Sequence, residues 1–148
     1  MNFENVNIAY GDFNYIGYPV VSLPKEAAKI AICNLLKEVV FSARSKALRE
    51  RLGGLDYFSV ESAVKNFQSV QLQGEVPPVV LMWADLNEKS VFDSVNDISD
   101  ACAMLRSNFS VAADIQNKGI ESVRSADTVE EMVFAAESAE SQLKDLKW

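Results

Sequence analysis

The chain has 148 residues, of which 49% are hydrophobic and 24% are charged, and its net charge is −7 at neutral pH. This composition is typical of one globular domain with a substantial core and excludes a disordered chain, so we expect a single domain over residues 1–148. No apolar stretch approaches the roughly 20 residues of a membrane-spanning helix. We therefore expect no membrane partner and a place inside a cell, or inside something assembled in one.

The sequence offers little material for catalysis. It contains no histidine, which removes the commonest general base and the commonest metal ligand. Cys33 and Cys102 are too few for a thiolate zinc site, and we interpret them as reduced core residues rather than a disulfide. No phosphate-binding loop or nucleophile motif is present. We expect no catalytic residue, no metal and no cofactor, and hence a protein that is not an enzyme.

Charges of opposite sign are concentrated in different parts of the chain. Residues 25–51 hold seven Lys or Arg against three acids, and residues 85–148 hold thirteen acids against six Lys or Arg. One interpretation is two solvated helix faces of opposite sign. The other is a subunit whose two halves attract the opposite halves of neighbouring copies.

The N-terminal segment predicts a β-hairpin. Apolar residues alternate with polar or small ones in residues 6–10 and 13–15, on either side of Gly11-Asp12. We interpret the aromatic residues Phe13, Tyr15 and Tyr18 as core rather than as a base-stacking platform, because no basic residues are interleaved with them.

The first two predicted helices follow. One begins at Pro24 and ends at Gly53-Gly54, and its length predicts a break near Phe41-Ser42. Ser59 is the predicted N-cap of the next, which ends before Pro77-Pro78.

The second half of the chain is predicted to hold a strand and two more helices. Val79 to Trp83 is short, apolar and flanked by breakers, which favours a buried strand. A third helix starts at Asn87 and ends at the Asn117–Gly119 turn, and Asp127 with Glu130 opens the last helix through a capping box. The third helix carries a heptad stripe of Val91, Val95, Ile98, Cys102, Leu105, Phe109 and Ala112. The sequence thus predicts a mainly α protein, an antiparallel four-helix bundle with a small β element.

Taken in order, these segments resemble the coat protein of rod-shaped plant RNA viruses, the tobacco mosaic virus type. Residues 13–16 look like that family's aromatic entry strand, and a helix carrying Ile32-Cys33 with Phe41 follows at its spacing. The other similar pieces are residues 62–70, 78–85, 105–108 and 123–129, the last of which matches an Arg-x-x-Asp helix opening. Residues 42–57 look like an insertion relative to the family.

The resemblance implies a structural protein that self-assembles helically around single-stranded genomic RNA. Its partners would be further copies of itself and the RNA, and its place would be the virion, or the host cytoplasm during assembly. The resemblance places Arg106, Asn108, Arg124 and Asp127 at the RNA, with the two arginines clamping phosphates at the adjoining ends of helices three and four. The alternatives are that both arginines are solvated or ion-paired and that Asp127 is only a helix cap.

A dense basic cluster lies in the first helix. Its members are Arg44, Lys46, Arg49 and Arg51. They are interpreted as a possible second RNA contact, as a contact with an acidic neighbour, or as a solvated helix face. The alternative function for the whole chain is a small acidic intracellular interaction protein, such as a phage assembly adaptor, a chaperone or a host-defence inhibitor.

Overall fold

A computed structural model describes all 148 residues, Met1–Trp148. Strands β1 (Val6–Tyr10) and β2 (Phe13–Tyr18) and a 3-10 turn (Val20–Ser22) precede five helices. The helices are α1 (Lys25–Leu52), α2 (Tyr57–Ser69), α3 (Pro78–Asn87), α4 (Val91–Ser125) and α5 (Val129–Lys144). The prediction of a mainly helical protein with a small sheet is confirmed, but the chain has five helices rather than the four of the predicted bundle.

The residues group into two compact units. The first unit contains residues 1–44 and 109–147, and the second contains residues 45–108 and Trp148. The core of the first unit includes Ile32 and Leu36 of α1 and Met132 of α5, all fully buried. The core of the second unit is built from the end of α1, from α2 and α3, and from the first part of α4. Its buried residues include Leu52, Val64, Val80, Ile98 and Leu105.

The predicted hairpin is confirmed. Strands β1 and β2 pair antiparallel, with Tyr10 opposite Phe13 and Ile8 opposite Tyr15. Gly11 has a φ of +59°, the left-handed conformation that a tight two-residue hairpin turn requires at its first position. A register shift between Val6 and Asn7 adds a local irregularity at the base of the hairpin.

Helix α1 runs without the predicted break near Phe41-Ser42. The Pro24 carbonyl accepts a 2.9 Å hydrogen bond from the Ala28 amide at its start, and Gly53 and Gly54 adopt positive φ after its end. No Gly or Pro interrupts the helix, so its 28 residues continue as one element. Helix α2 is capped by Asp56, whose carboxylate accepts from the Ser59 amide at 2.8 Å, so Ser59 is the capped donor and not the predicted cap.

Residues 79–83, predicted as a buried strand, are helical. Pro78 lies in the first turn of α3, where its missing amide hydrogen leaves no bond unmade. Val80 and Ala84, four residues apart, are the buried residues of the helix. A short apolar run does not by itself distinguish a buried strand from a buried helix, and here packing selects the helix.

The boundaries of the last two helices also differ from the prediction. Ser90 precedes α4, and its hydroxyl accepts from the Asp93 amide at 3.1 Å, so this helix starts three to four residues later than predicted. The capping box of α5 consists of Thr128 and Glu131, one residue later than the predicted Asp127 and Glu130.

The predicted turn at Asn117–Gly119 is absent, because α4 continues through it to Ser125. Gly119 is buried, and a Cβ built there would lie 2.8 Å from Leu36 Cδ2 of α1 and 2.9 Å from Ala139 Cβ of α5. This glycine is therefore a point of close helix packing within the first unit and not a helix terminator.

We expect Gly119→Ala to lower the free energy of unfolding by about 1–2 kcal/mol, because the overpacking cost outweighs the better helix propensity of alanine. Denaturant unfolding would measure this change. Ser122→Ala, at an exposed position of the same helix, is the control and should change stability by less than about 0.5 kcal/mol. A Gly119→Ala protein more stable than the parent would show that α1 and α5 are not packed against this residue.

Candidate interaction surfaces

The hairpin carries an aromatic row along β2. The rings of Phe13 and Tyr15 are 6.3 Å apart, and those of Tyr15 and Tyr18 meet edge to face at 5.6 Å. Tyr10 stands opposite Phe13 on the neighbouring strand. Because side chains alternate between the two faces of a strand, Phe13 and Tyr15 share one face, and Ile16 points to the other. The register shift leaves Gly17 without a partner on β1, which returns Tyr18 to the face of Tyr15. We call the face formed by Tyr10, Phe13, Tyr15 and Tyr18 the aromatic face.

The aromatic face is exposed, which corrects the interpretation of these residues as core. Phe13 is 67% exposed and Tyr18 is 47% exposed, while Tyr15 is half-buried. Ile16, on the opposite face, is 74% exposed, and Val6 is the only buried residue in either strand. The sequence pattern predicted the hairpin but not its exposure, because alternation shows which residues share a face and not whether anything covers that face.

The placement of the two arginines differs from the one that the resemblance implied for the clamp. Arg106 and Arg124 lie on the same helix, 18 positions apart, and not at the adjoining ends of two helices. Arg106 belongs to the second unit and Arg124 to the first. The difference arises because α4 passes through Asn117–Gly119, where the turn between two helices was expected.

The two arginines also have different surroundings. Arg106 pairs with Glu61, which also forms a 3.3 Å ion pair with Lys65. Arg106, Glu61 and Lys65 line a small groove of about 120 Å³ between α2 and α4. The buried Cys102 also lines this groove. Arg124 is exposed, forms no ion pair, and borders an open hollow of about 540 Å³ with Asn117, Ile120, Glu121 and Ser125.

The other two predicted RNA contacts, Asn108 and Asp127, lie within α4 and just before α5. Asn108 is a half-buried residue within α4 and the last residue of its segment of the second unit. Asp127 is exposed, and its backbone amide donates to the Glu131 carboxylate at 2.9 Å. The side chain that caps α5 belongs to Thr128, so the cap interpretation of Asp127 is wrong by one residue.

The basic cluster of α1 does not form a common surface. Arg44 donates from Nη2 to the Phe109 carbonyl at 2.8 Å, and its guanidinium lies 5.6 Å from the centre of the Phe109 ring. Lys46 forms a 3.7 Å ion pair with Glu50, and Arg51 donates from Nε to the Trp148 carbonyl at 3.0 Å. Arg49 is exposed and forms no ion pair.

Both cysteines are free and buried, as predicted. Burial raises the pKa of the Cys33 thiol, and the charges of Arg124, Lys37 and Lys29 oppose this shift. Burial likewise raises the pKa of the Cys102 thiol, opposed by Lys65. Both groups therefore stay protonated at neutral pH, which disfavours nucleophilic chemistry. No three His, Cys, Asp or Glu side chains are grouped as a metal site requires.

A second surface that the sequence analysis missed lies on the outside of α1. Ile30, Asn34, Lys37 and Phe41 are exposed and follow one another at spacings of four, three and four, so they share one helix face. We call these four residues the α1 stripe. The signal was present in the sequence, because this periodicity is out of phase with the buried Ile32, Leu36 and Val40.

Comparison with known proteins adds no assignment: no family model, no curated protein and no solved structure matches this chain. None of its helices combines the length and the apolar character that a bilayer crossing requires.

We expect Arg44→Ala to lower the free energy of unfolding by about 1–2 kcal/mol, because it removes a charge-assisted hydrogen bond and a cation–π contact. Arg49→Ala, at an exposed position five residues later, is the matched control and should change it by less than about 0.5 kcal/mol. Denaturant unfolding of both variants would measure the difference. If Arg44→Ala changed the free energy of unfolding as little as Arg49→Ala does, the interpretation of the cluster as a solvated helix face would be favoured.

Proposed function

We propose that this chain is a non-enzymatic structural subunit that assembles with other protein chains, first of all further copies of itself, through the aromatic face of its hairpin. The observation that carries the proposal is the exposure of this face, with Phe13 67% exposed. Tyrosine and phenylalanine are enriched in protein interfaces, where they bury a large area at a small cost in side-chain entropy.

The charge of the hairpin segment favours protein over nucleic acid at this face. Residues 1–24 contain Glu4 and Asp12 and neither Lys nor Arg. Single-stranded nucleic acids are bound by aromatic residues that are accompanied by a cationic groove along the backbone. An aromatic surface with only acidic side-chain charges lacks this second component.

The resemblance to viral coat proteins extends the proposal to RNA packaging in a virion. A subunit of a helical assembly covers few nucleotides, so a few cations per copy are sufficient and the polymer supplies avidity. Arg124 is the better candidate of the two clamp arginines, because it is exposed and forms no ion pair. Arg106 is a weaker candidate, since contact with a phosphate would compete with its pairing to Glu61.

The alternative is a small interaction protein that uses the same aromatic face for a different protein, as an adaptor, a chaperone or an inhibitor does. Both functions need an exposed apolar surface. They differ in the partner, so self-association of the purified chain separates them.

We expect Phe13→Ala to weaken concentration-dependent self-association by about ten-fold or more, because aromatic residues at interface centres contribute most of the binding energy. Ile16→Ala is the matched control, since Ile16 is as exposed on the same strand but lies on the opposite face. Sedimentation velocity over a range of concentrations would measure both. Equal losses in the two variants would show that the aromatic face is not the contact, and a parent chain that stays monomeric would favour the alternative.

We expect Arg124→Ala to weaken binding of single-stranded RNA and to reduce the slope of log affinity against log salt by roughly one unit, as loss of one phosphate contact requires. Arg106→Ala should change this slope less, because Arg106 is paired with Glu61. Fluorescence anisotropy with a labelled oligonucleotide of mixed sequence would measure the slopes. An unchanged slope for Arg124→Ala would remove it from the RNA contacts.

A further inference from the structure

The exposed side chains of the aromatic face define what kind of protein surface can bind it. An isolated two-stranded hairpin is marginally stable in water, and here only Val6 of the two strands is buried. A matching surface must offer apolar area for Phe13 and Tyr18. A cation on that surface would complement Glu4 and Asp12, the only charged side chains of residues 1–24.

The α1 stripe has this chemistry. Phe41 is 72% exposed and Ile30 is 43% exposed, and these two apolar side chains flank Lys37. Lys37 is exposed and forms no ion pair, so its ammonium group is available for a carboxylate or for the face of a tyrosine ring. Residues 25–44 hold four Lys or Arg against two acids, which complements the acidic hairpin segment.

We infer that the aromatic face of one copy binds the α1 stripe of a second copy. Phe13 and Tyr18 of the aromatic face and Phe41 of the stripe are exposed in the single chain, so these side chains do not cover one another within one molecule. The contact joins two different surfaces, which leaves each end of a dimer with one unused surface for a further copy. The inference rests on the proposed function, to which it adds the identity of the partner surface and a head-to-tail mode of growth.

Charge argues against the exposed apolar side of α3 as the partner surface. Leu81, Met82 and Leu86 are exposed on one side of α3. That side also carries Asp85, and Glu88 follows at the end of the helix. These carboxylates would meet Glu4 and Asp12 of the hairpin segment, and like charges brought together at an interface weaken it.

A mixing experiment with the full chain tests the inference. Phe13→Ala disables the aromatic face and leaves the stripe intact, whereas Phe41→Ala disables the stripe and leaves the aromatic face intact. Each variant alone should show about a ten-fold or greater loss of self-association. An equimolar mixture should form dimers and stop there, because the only intact pair of surfaces is used once. Sedimentation velocity of each variant and of the mixture would measure this.

The outcomes separate the inference from the proposed function. If Phe41→Ala associates like the parent while Phe13→Ala does not, the stripe is the wrong partner surface and the hairpin proposal survives. If neither variant differs from the parent, or if the parent is monomeric, both fall. A mixture that stays monomeric overturns the head-to-tail contact. Lys37→Glu is a second stripe variant and should also weaken association, and far-UV circular dichroism would confirm that all the variants are folded.

Discussion

The first unit depends on the close packing of α4 at Gly119 against Leu36 of α1 and Ala139 of α5. Any side chain at this position would overlap both neighbours, since the Cβ distances of 2.8 and 2.9 Å leave no room for another carbon. Because three helices meet there, the local preference of Asn117-Lys118-Gly119 for a turn is overridden. The helix therefore continues through this segment, and α4 extends from Val91 to Ser125.

The hairpin is attached to this packed unit at its base and is open along its aromatic face. The Val20 amide donates to the Phe3 carbonyl at 2.8 Å, and both Val6 and Val20 are buried. The amino group of Met1 forms a 2.7 Å ion pair with Glu140 of α5, and this hydrogen-bonded contact holds the pKa of Glu140 below its usual range. An interaction element held firmly at its base presents its apolar side chains with little loss of entropy on binding.

Ion pairing divides the positive charges into structural and available ones, although they look alike in the sequence. Arg44 is held by Phe109, and Arg106 is paired with Glu61, so their charges serve the packing of their own units. Lys25, Lys37, Arg49 and Arg124 are exposed and form no ion pair. Few cations are therefore free to contact a partner. This number is sufficient for a contact with one acidic surface and too small for a broad basic binding surface.

The sequence by itself determined the helical class, the hairpin around Gly11-Asp12 and the heptad stripe of α4, because periodicity and turn chemistry are local properties. Five of the seven residues of that stripe are buried. Only the tertiary structure decided that residues 79–83 are helical, since Val80 and Ala84 are buried on one side of α3. The tertiary structure also decided that Gly119 permits close helix packing and does not end a helix. The sequence shows only a glycine in both cases. The exposure of Phe13 was decided in the same way, since burial depends on which distant elements cover a side chain.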